Sequence, residues 1–192
     1  MITAIVLAAG TSSRLGRTKQ LLELDGRPLL AHAVALAAKH FDEVVVILGY
    51  QADRIEAALE LPSNARIVRN DAYLEGQRSS VRRGLAAASE GGNDAAVLLG
   101  DQPRVPDELI ERTIETFRHG RADVVRPRHG DAPGHPVIVR SGLARRLGAG
   151  EDDAVACPLR GSEVGWITAH PEAPADVDTW EAYEALLGRP GG

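Results

Sequence analysis

Residues 2–19 determine how the rest of the chain is interpreted, and they have the sequence Ile2-Thr3-Ala4-Ile5-Val6-Leu7-Ala8-Ala9-Gly10-Thr11-Ser12-Ser13-Arg14-Leu15-Gly16-Arg17-Thr18-Lys19. The apolar run, which ends in small residues, predicts a strand that is buried on both faces. The residues after it carry glycines, hydroxyl groups and three cations, Arg14, Arg17 and Lys19. This combination is typical of a loop that holds an anion close to the backbone, and it favours a nucleoside triphosphate as the ligand.

Two better-known phosphate loops do not match this segment. A P-loop requires G-x-x-x-x-G-K-[ST], whereas Gly10 and Gly16 are separated by one residue too many and Lys19 comes three residues after Gly16. The dinucleotide fingerprint G-x-G-x-x-G is absent as well. A glycine-rich turn with solvated cations is the structural alternative to an anion site.

Composition and charge exclude several classes of function. The chain has 192 residues, with Lys+Arg 22 against Asp+Glu 27 and a net charge of -5, and it contains no basic run that would select nucleic acid. The single cysteine, Cys157, rules out an internal disulfide and a C-x-x-C metal or redox site. No targeting segment and no apolar stretch of membrane-spanning length is evident. We therefore expect a cytoplasmic protein with no membrane partner.

Strands and helices are predicted to alternate along most of the chain. After the first strand, further strands are predicted at 43–48, 66–69, 95–99, 122–127, 134–139 and 164–169. Helices are predicted at about 28–39, 52–60, 81–89, 108–118, 141–147 and 179–187. This order predicts an α/β fold, a single Rossmann-like three-layer α/β/α domain over residues 1–192 with a mostly parallel sheet and one late antiparallel strand. Residues 188–192 are expected to form a frayed tail.

Three polar segments are expected to meet at one edge of this sheet. They are residues 10–19, 70–80 and 100–103, and each follows a predicted strand. Ligands of open parallel sheets bind outside the carboxyl ends of the strands. Asp101, directly after the apolar run 95–99, is suited to bind Mg²⁺, which prefers oxygen ligands and holds triphosphates through one or two protein carboxylates. A turn or helix cap is the alternative role for Asp101.

The pattern L-A-A-G-x-S-x-R-x-G-x-x-K over residues 7–19 resembles the signature of the MobA-like nucleotidyltransferases, which include the molybdenum cofactor guanylyl- and cytidylyltransferases. The G-D-x-P at 100–103, the G-H-P at 134–136 and the D-x-D-T at 176–179 are similar to further elements of that family. The resemblance implies transfer of a nucleoside monophosphate from a nucleoside triphosphate (NTP) to a phosphorylated acceptor, with release of pyrophosphate and with Mg²⁺ as cofactor.

The resemblance also implies roles for individual residues. Arg14 and Lys19 would lie near the β- and γ-phosphates and, with Asp101, act in catalysis. Asp101 and Asp178 would hold the metal, with Asp176 as the alternative to Asp178. Asp178 is equally suited to cap the helix at 179–187.

The nucleotide and the acceptor would occupy opposite sides of the predicted cleft. By the resemblance, the nucleotide-binding residues are Leu7, Ala8, Ala9, Gly10, Arg14, Lys19, Asn70, Ser79 and Ser80. Ser79 and Ser80 are also placed to cap the helix predicted from residue 81. His135 would bind the acceptor, or simply hydrogen-bond a loop. It follows a predicted loop at 126–134 that contains two arginines and one histidine, and this group together with His135 suits an anionic acceptor.

One segment departs from the family pattern. Residues 150–160 replace the G-D-x-G-A-R-like element of the cytidylyltransferase branch. The sequence therefore does not fix the identity of the acceptor. We expect transfer of CMP from CTP to a molybdopterin-type acceptor, with a molybdoenzyme or its chaperone as a protein partner. Guanylyl transfer from GTP, transfer to a sugar phosphate, and a nucleotide-binding module without catalysis are the alternatives.

Overall fold

A computed structural model describes residues 1–12, 15–151, 163–170 and 173–188 of the chain. The α-helices of this part are α1 Leu29–His40, α2 Ala52–Ala58, α3 Gln77–Ser89, α4 Asp107–His119, α5 Ser141–Ala149 and α6 Trp180–Leu187. The strands are β1 Ile2–Ala8, β2 Glu23–Leu24, β3 Arg27–Pro28, β4 Glu43–Leu48, β5 Ala65–Arg69, β6 Asp94–Leu99, β7 Val124–His129, β8 Ala132–Pro133, β9 Val137–Val139 and β10 Val164–Thr168. Single 3₁₀ turns lie at Lys19–Leu21 and Tyr73–Glu75.

The main sheet places β1 near its centre. Its strand order is β10-β7-β9-β6-β1-β4-β5, and the short β8 pairs with β7. β1 runs parallel to both β4 and β6, while β9 is antiparallel to β6 and β7. The predicted α/β fold with a mostly parallel sheet and a late antiparallel strand is thereby confirmed. Since β1 has parallel neighbours on both sides, the loop that leaves it opens at the carboxyl edge of the sheet.

Helices cover both faces of the sheet, which gives the three predicted layers. On one face, buried side chains of α1 and α4 such as Leu30, Val34 and Phe117 pack against the even-numbered residues of β1. On the other face, α3 and α5 contribute Leu85 and Leu147. Strands covered on both faces need continuous apolar sequence, which is why 43–48 shows no alternation between polar and apolar residues.

Two segments differ from their predicted structure. Helix α3 begins at Gln77, four residues earlier than expected, because Gly76 adopts a φ of +99° and turns the chain into the helix there. Ser79 and Ser80 therefore lie inside the first turn and do not cap it. The strand predicted at 122–127 continues to His129 as β7, and the polar residues after it return through β8 where a loop was expected.

Within the described residues, no helix combines the length and the apolar composition that crossing a bilayer requires. Residues 189–192, the last part of the expected tail, lie outside the described residues. Cys157 and most of the segment at 150–160, which differs from the family pattern, also lie outside them.

Candidate active site

Gln20 holds the loop after β1 against the end of that strand. Its Nε2 donates to the backbone oxygens of Ala8 at 2.8 Å and Gly10 at 3.2 Å, and its Oε1 accepts from the hydroxyl of Ser12 at 3.3 Å. The side chain is buried. The sequence analysis did not identify Gln20. The signal that could have indicated it is a polar residue between Lys19 and the apolar pair Leu21-Leu22.

The same loop fixes the backbone of Lys19. The Lys19 backbone N–H donates to the Ser12 hydroxyl at 3.1 Å, and the neighbouring Thr18, which is buried, donates its hydroxyl to Gln51 at 2.5 Å. Arg14, which was predicted to contact phosphate, lies outside the described residues. A polar cavity of about 450 Å³ borders this loop, and its lining includes Arg17 and Arg54.

Lys19 brings together two carboxylates from distant parts of the chain. Its Nζ lies 2.5 Å from Asp101 Oδ2 and 2.7 Å from Asp178 Oδ1. Burial lowers the pKa of Lys19, but the charges and hydrogen bonds of Asp101 and Asp178 outweigh burial and raise that pKa overall. The group of three carries a net charge of about -1 at neutral pH, so it still attracts a cation.

Asp176 lies beside this group but has a different partner. Gln102 Nε2 donates to Asp176 Oδ1 at 2.7 Å, and the backbone N–H of Val177 donates to the carbonyl of Asp101 at 3.1 Å. Burial raises the pKa of Asp176, and the nearby charges of Asp101 and Asp178 raise it further against the opposing effect of Gln102. The loop at 176–178 is thus fastened to the turn at 100–103.

The structure separates the two roles that the sequence left open for Asp178. Helix α6 is capped by Thr179, whose side-chain oxygen accepts from the Ala182 backbone N–H at 3.3 Å. The Asp178 carboxylate instead accepts a hydrogen bond from the Lys19 ammonium, which also donates to Asp101. Of the two candidates for the second carboxylate, Asp178 therefore converges with Asp101 and Asp176 is bound to Gln102.

The donor set suits a hard divalent cation. The Lys19 ammonium marks a point that both carboxylates reach, and carboxylate oxygens are the protein ligands that Mg²⁺ prefers. Across the described ranges, no group of three or more His, Cys, Asp or Glu residues is arranged to hold a metal ion. Two carboxylates fit a metal that completes its shell with phosphate oxygens and water, as Mg²⁺ does at triphosphate sites.

A cavity of about 580 Å³ opens beside these charges, at the carboxyl ends of β1 and β6. This volume lies within the range of small-molecule sites. Its lining combines the predicted residues with several that the sequence did not single out: Leu7, Ala8, Ala9, Gly10, Thr11, Lys19, Gln20, Tyr73, Leu74, Gly76, Gln77, Ser80, Leu99, Gly100, Asp101, Asp176 and Asp178.

Asn70, Ser79 and Ser80 form a buried network that shapes the wall of this cavity. Asn70 Nδ2 donates to the hydroxyls of Ser79 at 2.9 Å and Ser80 at 3.0 Å. The Ser79 hydroxyl contacts the carbonyls of Ala72 and Gly76, both at 2.8 Å. Of these three, only Ser80 lines the cavity. Asn70 and Ser79 hold the loop at 70–76 in place, and direct nucleotide contact by them stays a prediction.

A smaller cavity of about 190 Å³ adjoins the main one, because Leu7 and Gln77 line both. His135 and Arg126 supply its other polar side chains. Burial, together with the charge of Arg126, lowers the pKa of His135 to about 4. His135 is therefore neutral at pH 7 and is suited to a contact through hydrogen bonds.

His129 also differs from the expected group of cations. It is buried at the end of β7, and its Nδ1 hydrogen-bonds the carbonyl of His170 at 2.7 Å. Its ring does not line the cavity that contains His135. Arg126 and Arg128 are the two arginines on this face of β7.

Comparison with known proteins gives several relatives of similar length. The chain is 30% identical to a molybdenum cofactor guanylyltransferase of Burkholderia vietnamiensis, over 98% of this chain and 96% of that protein. It is 28% identical to the molybdenum cofactor cytidylyltransferase of Escherichia coli, over 72% and 69% of the two chains. It is also 35% identical to nicotine blue oxidoreductase of Paenarthrobacter nicotinovorans, over 97% and 96%.

Solved structures resemble the whole chain. The crystal structure of Rv0371c from Mycobacterium tuberculosis is 29% identical and superimposes with a TM-score of 0.80, covering 98% of this chain and 97% of that one. A second structure of Rv0371c, a complex with manganese, is 28% identical with a TM-score of 0.76 and covers 97% and 98%. The model of the MobA-like NTP transferase domain matches residues 4–164. The signature loop (residues 7–19), the carboxylate pair of Asp101 and Asp178, and the cavity are all consistent with this match. The chain belongs to the MobA-like NTP transferase family, as a nucleotidyltransferase related to the molybdenum cofactor cytidylyl- and guanylyltransferases.

Proposed function

We propose that this protein transfers CMP from CTP to a molybdopterin-type acceptor and releases pyrophosphate. The observation that carries the proposal is the convergence of Asp101 and Asp178 on Lys19 at the mouth of the cavity that Leu7–Gly10 line. A triphosphate in this cavity would lie between the backbone of the signature loop and the two carboxylates. Mg²⁺ is the metal that we propose for them, where it would neutralise phosphate charge as pyrophosphate departs.

The chain's own residues position the nucleotide. The carbonyls of Ala8 and Gly10 are held by Gln20, so the loop keeps a fixed shape at the floor of the cavity. Lys19 has a long, flexible side chain, and its ammonium can exchange a carboxylate contact for a phosphate oxygen while remaining beside Asp101. Arg14 is proposed as a second phosphate contact from the same loop.

The acceptor needs little activation in this scheme. A phosphate monoester is already anionic at neutral pH, so it can attack the α-phosphorus without a general base. His135 is proposed to contact the acceptor as a neutral hydrogen-bonding group, because its lowered pKa excludes a charge-based contact at pH 7. The product would then pass to a molybdoenzyme or its chaperone.

Pyrophosphate release tests the proposal directly. The full chain is incubated with Mg²⁺, molybdopterin and each of CTP, GTP, UTP and ATP in turn. We expect pyrophosphate with CTP in preference to GTP, and none without the acceptor. A preference for GTP would correct the nucleotide, and turnover only with a sugar 1-phosphate would correct the acceptor. No pyrophosphate with any NTP and either acceptor would overturn the proposed activity and leave a nucleotide-binding module.

The likeness to nicotine blue oxidoreductase gives a second candidate function. A redox enzyme on this fold would change the absorbance of nicotine blue in the presence of a reduced nicotinamide or flavin cofactor, with no pyrophosphate. The retained pair of carboxylates beside Lys19 favours nucleotidyl transfer, because hydride transfer has no need of a phosphate-bridging metal site. Running both assays on one preparation separates the two activities.

A further inference from the structure

The smaller cavity of about 190 Å³ has a composition unlike that of the main one. Its walls come from α3, β6, β9 and α5, with apolar side chains that include Val81, Val97 and Val137. The main cavity beside it carries Lys19 and the three carboxylates Asp101, Asp176 and Asp178, whereas none of the carboxylates in the described part of the chain lines this one. Its volume is of the size that holds one ring or a branched aliphatic group.

Arg126 is the charged side chain in this apolar setting. Its Nη2 donates to the carbonyl of Gly134 at 3.1 Å, and its guanidinium lies 5.9 Å from the centre of the Trp166 ring. Among the described residues, its buried Nε has no hydrogen-bond partner, and no carboxylate of theirs acts on the charge of its guanidinium. Burial lowers the pKa of Arg126, as expected for a cation without a neighbouring anion.

A guanidinium that lines a cavity, with no ion-pair partner among the described carboxylates, suits a ligand that brings its own acceptor oxygen. Its Nε is enclosed by the protein, so the nitrogens at the end of the side chain are the donors that such a ligand would meet. Arg128 shows the contrast, since it lies two residues further along the same face of β7, 4.2 Å from the same Trp166 ring, and does not line the cavity. A structural role on Trp166 therefore does not require the position that Arg126 occupies.

We propose that this cavity holds the part of the acceptor that does not react, and that this part is a flat ring with apolar faces and a carbonyl or carboxylate oxygen that accepts from Arg126. The assignment to the acceptor rests on the proposed function, whereas the preference for such a ligand rests on the cavity itself. Because Leu7 and Gln77 line both cavities, an acceptor seated here lies directly beside the main cavity. Arg126 is thus assigned as a residue that determines acceptor specificity.

Three small probes test the cavity independently of turnover. Benzoate, benzamide and toluene are titrated into the full chain with labelled valine and leucine methyl groups and followed by NMR. We expect benzoate and benzamide to shift the methyl signals of Val81, Val97 and Val137, with toluene binding about tenfold more weakly because it offers no acceptor oxygen. A stronger response to benzoate than to benzamide identifies a carboxylate, and the reverse order identifies a neutral carbonyl.

Variants at two arginines separate binding from structure. Arg126→Met should bring the three probes to similar affinities and raise the KM for molybdopterin by about 10- to 100-fold, with the KM for CTP unchanged. Arg128→Met is the matched control and should keep the probe order and both KM values. If Arg126→Met does not fold, Arg126→Lys keeps the charge but replaces the planar guanidinium with one ammonium donor, and it should narrow the difference between benzoate and toluene without abolishing it.

The outcomes distinguish this inference from the proposed function. Normal pyrophosphate release by the wild-type chain, with none of the probes shifting the three valines, overturns the inference alone. Benzoate inhibition that is competitive with CTP, and not with molybdopterin, also overturns it. No pyrophosphate with any NTP overturns the proposed function and the assignment to an acceptor, even where the probes bind. Equal KM changes in both arginine variants would show that Arg126 acts only through Trp166.

Discussion

Asp101 owes its position to the glycine before it. A Cβ at Gly100 would lie 2.8 Å from the carbonyl of Leu7 and 2.9 Å from Leu30 Cδ1, closer than such atoms approach one another. The absence of a side chain lets the end of β6 lie against β1, and the Gly100 backbone N–H donates to the Leu7 carbonyl at 2.9 Å. The carboxylate that follows is therefore fixed by backbone packing, so its chemistry can be changed without changing its location.

Asp101→Asn should remove most of the activity and leave the fold intact. The substitution keeps the size of the side chain but removes the charge that faces Lys19 and the proposed metal. We expect pyrophosphate release to fall by about 100-fold or more, the range for loss of one electrostatic contact to a transition state. Asp107→Asn is the control, because Asp107 pairs with Lys39 at the start of α4, away from the cavity. Near-normal turnover of Asp101→Asn at saturating Mg²⁺ would remove Asp101 from the metal site.

His135 should make the protein less stable in mild acid. Because burial holds its folded-state pKa at about 4, below the usual value of 6.5, the unfolded chain binds the proton more readily. The contribution of His135 is complete above about pH 6.5 and is lost as the pH falls towards 4, up to about 3 kcal/mol at 1.36 kcal/mol for each pKa unit.

Chemical unfolding between pH 4 and 7 measures this effect. His135→Gln should flatten the dependence of the free energy of unfolding on pH, whereas His119→Gln, which changes an exposed histidine, should preserve it. A ring proton signal of His135 that titrates near pH 6.5 by NMR would contradict the argument.

The turn that carries Gln20 links the signature loop to the sheet. Gln20→Met removes two donors to the carbonyls of Ala8 and Gly10, which should cost about 1–3 kcal/mol of stability and raise the KM for the NTP, since these residues line the cavity. Asn64→Ala is a matched control, because Asn64 donates to the carbonyls of Ala38 and Phe41, both at 3.2 Å, far from the cavity. It should lower stability with an unchanged KM. Equal kinetic effects would show that Gln20 acts through global stability alone.

Local sequence predicted most elements but not all of their ends. Residues 43–48 and 95–99 were recognisable because continuous apolar runs between polar turns suit buried strands. The end of β7 was not, because the predicted strand stops at Pro127, and Arg128 and His129 resemble a loop until β8 and β10 supply their pairing partners. The early start of α3 depends on the backbone conformation of Gly76, which composition does not reveal.

The site as a whole depends on contacts across the length of the chain. Lys19 and Asp178 are 159 positions apart in sequence, yet their side chains are 2.7 Å apart. Motif resemblance named both residues, but only the folded chain brings them together with Asp101. The hydrogen bonds of Gln20 to the signature loop and the lining of the cavity beside Arg126 both depend on contacts between distant parts of the chain. No local sequence pattern predicts such contacts.

Nucleotide and metal should therefore stabilise the whole molecule jointly. With CTP and Mg²⁺ at about 100 times the dissociation constant, binding adds about 2.7 kcal/mol, which raises the Tm of a chain of this size by about 5–10 °C. CTP with EDTA should give a much smaller shift, because the triphosphate would then meet Asp101 and Asp178 without the cation between them.

Thermal unfolding of three proteins tests this coupling. The wild type and Asn64→Ala should both show the full shift with CTP and Mg²⁺, whereas Asp101→Asn should show only the shift seen in EDTA. An equal shift of the wild type in Mg²⁺ and in EDTA would mean that the chain binds nucleotide without a metal, as a non-catalytic module would. A joint shift that requires Asp101 is expected only if Asp101 contacts the complex of CTP and Mg²⁺, because an effect of Mg²⁺ on CTP in solution alone would shift the Tm of Asp101→Asn to the same extent.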